Sequence, residues 1–341
     1  MSRTDKSKRA HLKVLGHDEI RLPMIWLGQS VRTTVVTRRY PSLSRECWMV
    51  SLGDAVHRPR LAETVFRSSI RERIAVQGPI MLDSGGFTMM MKQESLPIDK
   101  IVEIYQQTEA ELCITLDLPP TDGDSPRVRS RKYKATFENL AHLIDRVGDH
   151  RIVPVVHGKN EREIETNCAA IATLVSGPAM ICLGGMVPLL RRSGHASERD
   201  RAEAWLTKMI GRVRDQFSET IVHVLGAGSP KNIATTIRCG AGSTDSLAWR
   251  RAAGFGTIYL PGTGERFLAH RDRERASSRP LLSDHEQQLL GMCLCPACTE
   301  FPKLTDRIAE LQGSYLARAA HNAFVILEGR LAARSDQIIA G

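Results

Sequence analysis

The sequence predicts an α/β chain folded as a closed (β/α)8 TIM barrel, with a small cysteine-bearing subdomain at its C-terminal end. Three observations predict it. Short apolar runs rich in Val, Ile and Leu recur along the chain, charged stretches with helical spacing separate most of them, and three of the 8 cysteines crowd into residues 293–298. Apolar strands joined by helical crossovers make a parallel sheet covered on both faces, and eight such units in a 341-residue chain favour a closed barrel over an open sheet.

The elements follow in order. Residues 1–20, polar and basic, form a tail. Strands are predicted at "PMIWLG" (23–28), "CWMVSLG" (47–53), "PIMLDSGG" (79–86), "LCITLDLP" (112–119), "RIVPVVHG" (151–158), "AMICLGGMVP" (179–188), "TIVHVLGAG" (220–228) and "TIYLPG" (257–262). Helical spacing marks 97–111, 134–147, 161–175 and 197–217 between them. The barrel therefore occupies 21–262. Residues 263–341 form the subdomain, with a charged insertion over 263–290, the cysteine cluster, and a closing helix within 307–331.

With 42% apolar and 25% charged residues, the composition is that of an ordinary soluble globular chain, and no apolar run reaches membrane-spanning length or forms a secretory signal. The expected location is cytoplasmic. Lys and Arg outnumber acids 47 to 38, for a net charge of +9, with basic clusters at 127–134 and 270–275. A polyanionic partner fits this balance, although a single such run is ordinarily a solvated helix face. Cys47, Cys113, Cys168, Cys182 and Cys239 sit mostly in apolar surroundings, as small buried hydrophobes of a reducing compartment do.

Cys293, Cys295 and Cys298 form C-x-C-x2-C, and the helical segment after them carries His321. Three thiolates and one imidazole suit tetrahedral zinc; a redox dithiol and an ordinary packed histidine are the alternatives. With every position filled by protein, the zinc would be structural.

Polar residues gather at the predicted strand ends. Asp83 and Ser84 lie in "LDSGGF", Asp117 in "TLDLPP", His157 in "VVHG", and Gly184, Gly185 and Met186 in "CLGGMVP"; Asp245, in "GSTDSLAW", lies at a loop or strand end. In a barrel the carboxyl ends of the strands share one face, where barrel enzymes place their chemistry. Three carboxylates there could supply a nucleophile, a general acid/base and a recognition group, while each alone could be a helix cap or turn residue.

In this order, "DSGGF", an aspartate ending the next strand, "VVHG", "GGM", "LGAGSP", a late aspartate, and C-x-C-x2-C followed by "HN" resemble the tRNA-guanine transglycosylases and their DNA-acting relatives, the DNA 7-deazaguanine transglycosylases. The likeness runs from about Pro79 to Asn322. It implies a barrel with a C-terminal zinc subdomain, and exchange of a guanine in nucleic acid for a 7-deazaguanine through a covalent glycosyl-enzyme intermediate. Carried over, Asp245 would attack C1′, and Asp83 would protonate the departing guanine and deprotonate the incoming base. Asp117 would accept from the guanine N1–H and amine, and Gly185 and Met186 would contact the base through their backbone. Ser84 and Gly184 belong to the same pocket. The target base has to be flipped or unstacked to reach it.

The departures carry information. His157 stands where the tRNA enzymes usually have Gln, at the contact to the base's carbonyl oxygen. The apolar run "MVPLL" replaces a Glu of the bacterial tRNA enzymes, so a neutral 7-substituent is expected, such as the nitrile of 7-cyano-7-deazaguanine. "SLAWRRAAG" after Asp245 more resembles the DNA-acting branch, making DNA the expected polymer and tRNA the rival. Helper proteins for DNA access and a homodimer are compatible with that reading. A non-catalytic nucleic-acid-binding zinc subunit is the reading from another class, and the presence of both Asp83 and Asp245 counts against it.

Overall fold

In a computed structural model, which describes residues 22–31, 33–54, 69–93, 96–185, 196–261, 263–268 and 280–339, the chain forms one parallel sheet wrapped by helices. Its strands are β1 (Met24–Gln29), β2 (Cys47–Ser51), β3 (Ile80–Asp83), β4 (Leu112–Ile114), β5 (Ile152–Val153), β6 (Val155–Val156), β7 (Met180–Leu183), β8 (Ile221–Val224) and β9 (Ser243–Ser246). They lie in the order β5-β4-β3-β2-β1-β9-β8-β7-β6. The two edge strands are halves of one run split at Pro154, which has no N–H to give to a ladder. The first half pairs Ile152 with Cys113 of β4 and the second pairs Val155 with Cys182 of β7, while the Pro154 carbonyl still accepts from the Cys182 amide at 2.8 Å. Both edges of the sheet are therefore the same stretch of chain, and the sheet closes into a barrel.

Period-two alternation sorts the side chains. Met24, Trp26, Met49, Met81, Ile114 and Met180 pack together in the interior, whereas Ile25, Leu27, Trp48, Leu82, Ile181 and Val222 join the larger core between sheet and helices. The helices over the barrel are α1 (Val36–Arg39), α2 (Ile70–Ile74), α3 (Gly86–Lys92), α4 (Ile98–Gln107), α5 (Pro126–Val147), α6 (Glu161–Ala172), α7 (Ala196–Gln216), α8 (Pro230–Arg238) and α9 (Ala248–Gly254). Several starts are written locally. Ser125, Asn160 and Ser229 accept from the amides of Val128, Glu163 and Asn232, and Pro126 and Pro230 fill first-turn positions where no N–H is needed.

One predicted strand is misplaced. The wall after β8 is Ser243–Ser246, not 257–262; Thr257–Ile258 (β10) pairs antiparallel with β11 (Arg266–Phe267) in a separate two-stranded sheet. The reason is composition. β9 reads Ser-Thr-Asp-Ser and is fully buried, so its place in the barrel rests on backbone pairing with β1 and β8 rather than on an apolar run.

Beyond the barrel come α10 (Asp284–Gly291), opened by a Ser283–Glu286 capping box, α11 (Pro296–Thr299), α12 (Leu304–Gly313) and α13 (Tyr315–Ile339). The last packs along α8 and α9. There the buried Asn322 accepts from the Tyr259 amide at 2.8 Å and donates to the carbonyls of Trp249 and Thr257 at 3.2 and 3.1 Å. Trp249 in turn meets Trp48 of β2 edge to face, with ring centroids 6.0 Å apart. The basic tail and the 270–275 cluster lie outside the described residues. Among the described residues, no helix is long and apolar enough to cross a membrane.

Candidate active site and metal centre

Asp83 ends β3 opposite Ser51 of β2 in the register. Burial pushes its carboxyl up to about 6, against hydrogen bonds from the Ser51 hydroxyl and the Gly85 amide, and the nearby charges of Asp117 and Asp245 push the same way. Strands far apart in sequence thus bring the three acids together. Asp117 follows β4 and His157 follows β6, and the two side chains meet at 2.8 Å between Oδ2 and Nε2. Glycines make the room. A Cβ on Gly86 would lie 2.5 Å from Asp117 Oδ1, and one on Gly184 would lie 2.3 Å from His157 Cε1. Gly185 is exposed beside them, and Met186 lies outside the described residues. Ser84 is buried with its hydroxyl donating to the Thr115 carbonyl at 3.2 Å.

Asp245 projects from the polar strand β9, and its Oδ1 accepts from the Gly226 amide at 2.5 Å. Nε2 of His223 faces the same oxygen at 3.3 Å. His223 was not legible as a site residue, because a single histidine among valines reads as strand interior. Its signal was position: it shares the inward face with Ile221, just ahead of the glycine loop. Ser51, a small polar residue ending β2, carries no sequence signal either.

Around this group the surroundings are mixed. Nδ1 of His157 is buried without a hydrogen-bond partner, and the Tyr133 ring stacks on the imidazole with centroids 6.5 Å apart. Phe87 and Met91, one turn apart on α3, are exposed. The basic run 127–134 divides: Arg129 and Lys132 pair with Glu163 and Asp124, whereas Arg127 and Arg131 are exposed on the first turns of α5, which follows the Asp117 loop. Arg250 is buried against Trp249.

The ligand atoms of Cys293, Cys295, Cys298 and His321 all lie within 4.8 Å of one another. Each sulfur sits 3.5 Å from His321 Nδ1. Tetrahedral zinc, with Zn–S about 2.3 Å and Zn–N about 2.0–2.1 Å, would hold sulfur and nitrogen about 3.5 Å apart. The donor set therefore fits such an ion. His321 Nε2 donates to the Tyr259 carbonyl at 2.8 Å, which turns Nδ1 towards the sulfurs. Hydrogen bonding with Cys295 and Cys298 draws the Cys293 thiol down, and hydrogen bonding with Cys293 and Cys295 drives Cys298 up. A bound cation would stabilise thiolates at this centre. The other five cysteines are buried, and none of them lies in the Cys3His cluster.

A protein-family model described as queuine tRNA-ribosyltransferase matches residues 49–329. The tRNA-guanine(15) transglycosylase of Haloarcula marismortui is 26% identical over 271 residues, covering 78% of this chain and 49% of that protein. The enzyme of the same name from Methanothermobacter thermautotrophicus is 24% identical over 246 residues, covering 71% of this chain and 33% of its own length. The chain thus spans half or less of the curated relatives it matches. The family match takes in the three acids of the barrel face and the three cysteines and histidine of the metal centre, and the chain belongs to the queuine tRNA-ribosyltransferase family.

Proposed function

We propose that the protein is a guanine transglycosylase, a pentosyltransferase that exchanges a guanine in nucleic acid for a free base through an aspartyl-glycosyl intermediate. One observation carries the reading: carboxylates from distant strands meet at one face in different environments. Asp83 is pushed up to about 6 by burial, while Asp245 is met by the Gly226 amide and His223. Such a pair can divide the work of acid/base and nucleophile.

In the first half, Asp245 bonds C1′ as the C1′–N9 bond breaks; the electron pair goes to N9, and Asp83 supplies its proton. In the second, the incoming base gives its N9 proton to Asp83, N9 bonds C1′, and the ester breaks with its electron pair returning to Asp245. An acid titrating at about 6 can give and take that proton near neutrality. Asp117 accepts from the guanine N1–H and amine. The unpartnered Nδ1 of His157 is left for the edge of the base, at the position of the carbonyl oxygen. Zinc is the ion proposed for the Cys3His centre, where it is structural because protein fills every position.

The polymer we propose is tRNA, the substrate in the relatives' names, and their names lend nothing to the DNA preference read from residues 246–254. The incoming base is a 7-deazaguanine with a neutral substituent, a reading that rests on the apolar run 186–190. The test is exchange of radiolabelled guanine into unmodified tRNA, duplex DNA and single-stranded DNA, with Asp245→Ala as control. Label should enter tRNA, and both label and denaturant-stable adduct should vanish in the variant. Label in DNA alone would move the chemistry to the other polymer, and adduct surviving in Asp245→Ala would refute the assigned nucleophile.

A further inference from the structure

We propose that His223 is the positioning residue of the nucleophile, and that the chain Trp26–Ser243–His223 sets which oxygen of Asp245 attacks and how readily it leaves again. The inference rests on the transglycosylase reading above. The residues come from three neighbouring strands, β1, β9 and β8, whose register sets Trp26 opposite Asp245 and His223 opposite Ser243. Trp26, His223 and Ser243 are each 0% exposed, so their polar atoms must satisfy one another. Trp26 Nε1 can only donate, and it reaches Ser243 Oγ at 2.9 Å. That oxygen accepts there, keeps a second lone pair and its own proton, and lies 2.9 Å from His223 Nδ1. The Asp245 carboxylate can only accept, so Nε2 carries the hydrogen that faces Oδ1 at 3.3 Å, and in the neutral ring Nδ1 is left to accept from the Ser243 hydroxyl. The carboxylate at one end of the chain selects the histidine tautomer, and the tryptophan N–H at the other anchors the serine that matches it.

The Gly226 amide meets the same Oδ1 at 2.5 Å. Two donors converge on one oxygen, which leaves Oδ2 to bond C1′. Their effect on the two half-reactions differs. Donors on Oδ1 stabilise the carboxylate charge, so they favour breaking the C1′–Oδ2 ester, when the electron pair returns to Asp245; attack gains only orientation. Without the His223 donor, the ester should live longer.

Three variants separate these effects. His223→Leu removes the donor and keeps the volume apolar, His223→Gln keeps an N–H able to reach Oδ1, and Ser243→Ala removes the hydroxyl that Nδ1 accepts from. In His223→Leu, kcat should fall about 10- to 100-fold with KM for the free base unchanged. The steady-state fraction of nucleic acid in denaturant-stable adduct should rise, and His223→Gln should recover most of the rate. Equal losses in Leu and Gln, or an adduct fraction that falls in step with turnover, would overturn the proposal. Should His223→Leu fail to fold, Gln against Ser243→Ala carries the same comparison, with Ser243→Ala the slower.

A second readout needs no substrate. In 15N-labelled protein, the imidazole signals absent from His223→Gln should show Nε2 protonated and Nδ1 bare, with the Nδ1 signal moved in Ser243→Ala; a doubly protonated ring would overturn the chain of donors. Failure of the two ideas is distinguishable. Adduct in Asp245→Ala sinks the transglycosylase reading, whereas no adduct there together with wild-type behaviour in His223→Leu sinks the positioning role alone.

Discussion

Asp83 shows how a barrel mouth tunes one residue. Its folded pKa of about 6, above the ordinary 3.8, means that the ionised form weakens the fold, and the sign follows. The destabilisation is complete above the folded value and fades as pH falls towards the ordinary one. Asp83→Asn should therefore abolish exchange yet raise the unfolding midpoint at pH 8 by about 2 to 4 °C, a gain that vanishes near pH 4. A gain independent of pH would mean that packing, not charge, is responsible. Much of this site was legible one residue at a time: Asp83, Asp117 and His157 each end an apolar run and stand out for that reason. Their partnerships were not. The 2.8 Å contact of Asp117 with His157 spans 40 residues, and it exists because two strands lie side by side around the barrel, which spacing along the chain does not reveal.

Strands and helices repeat the lesson. Seven predicted strands reappear in the barrel because they are apolar on both faces, the property that a sequence displays. β9 stayed hidden because its inward positions, Ser243 and Asp245, are polar, which erases the very pattern by which strands are found. Helix α13 is similar: its apolar spacing was visible, but the three hydrogen bonds of Asn322 to residues 249–259 were not. Asn322→Ala removes one acceptor from the Tyr259 amide and one donor from each of two carbonyls, all in a buried setting. It should cost about 2 to 4 kcal/mol, read from a urea midpoint that falls at constant slope. A loss under about 1 kcal/mol would mean that water takes the side chain's place.

For the molecule as a whole, the Cys3His centre and the barrel face are joined through one short path. His321 and Asn322 are consecutive; the first faces three cysteines and holds the Tyr259 carbonyl, and the second holds the segment that begins just after Asp245. Removing zinc with a chelator, or Cys295→Ser, should lower the unfolding midpoint and the exchange rate together, with both restored by added zinc in the wild type. A protein that keeps its midpoint but loses activity would give the metal a part in the chemistry. The same path has a meaning for synthesis. A nascent chain that has emerged only as far as residue 314 already contains all three acids, yet it lacks the helix that pins the segment behind Asp245, the proposed nucleophile. On the proposed function, the contacts that hold residues 249–259 behind Asp245 therefore form only after the rest of the barrel has left the ribosome, and competence for exchange follows them.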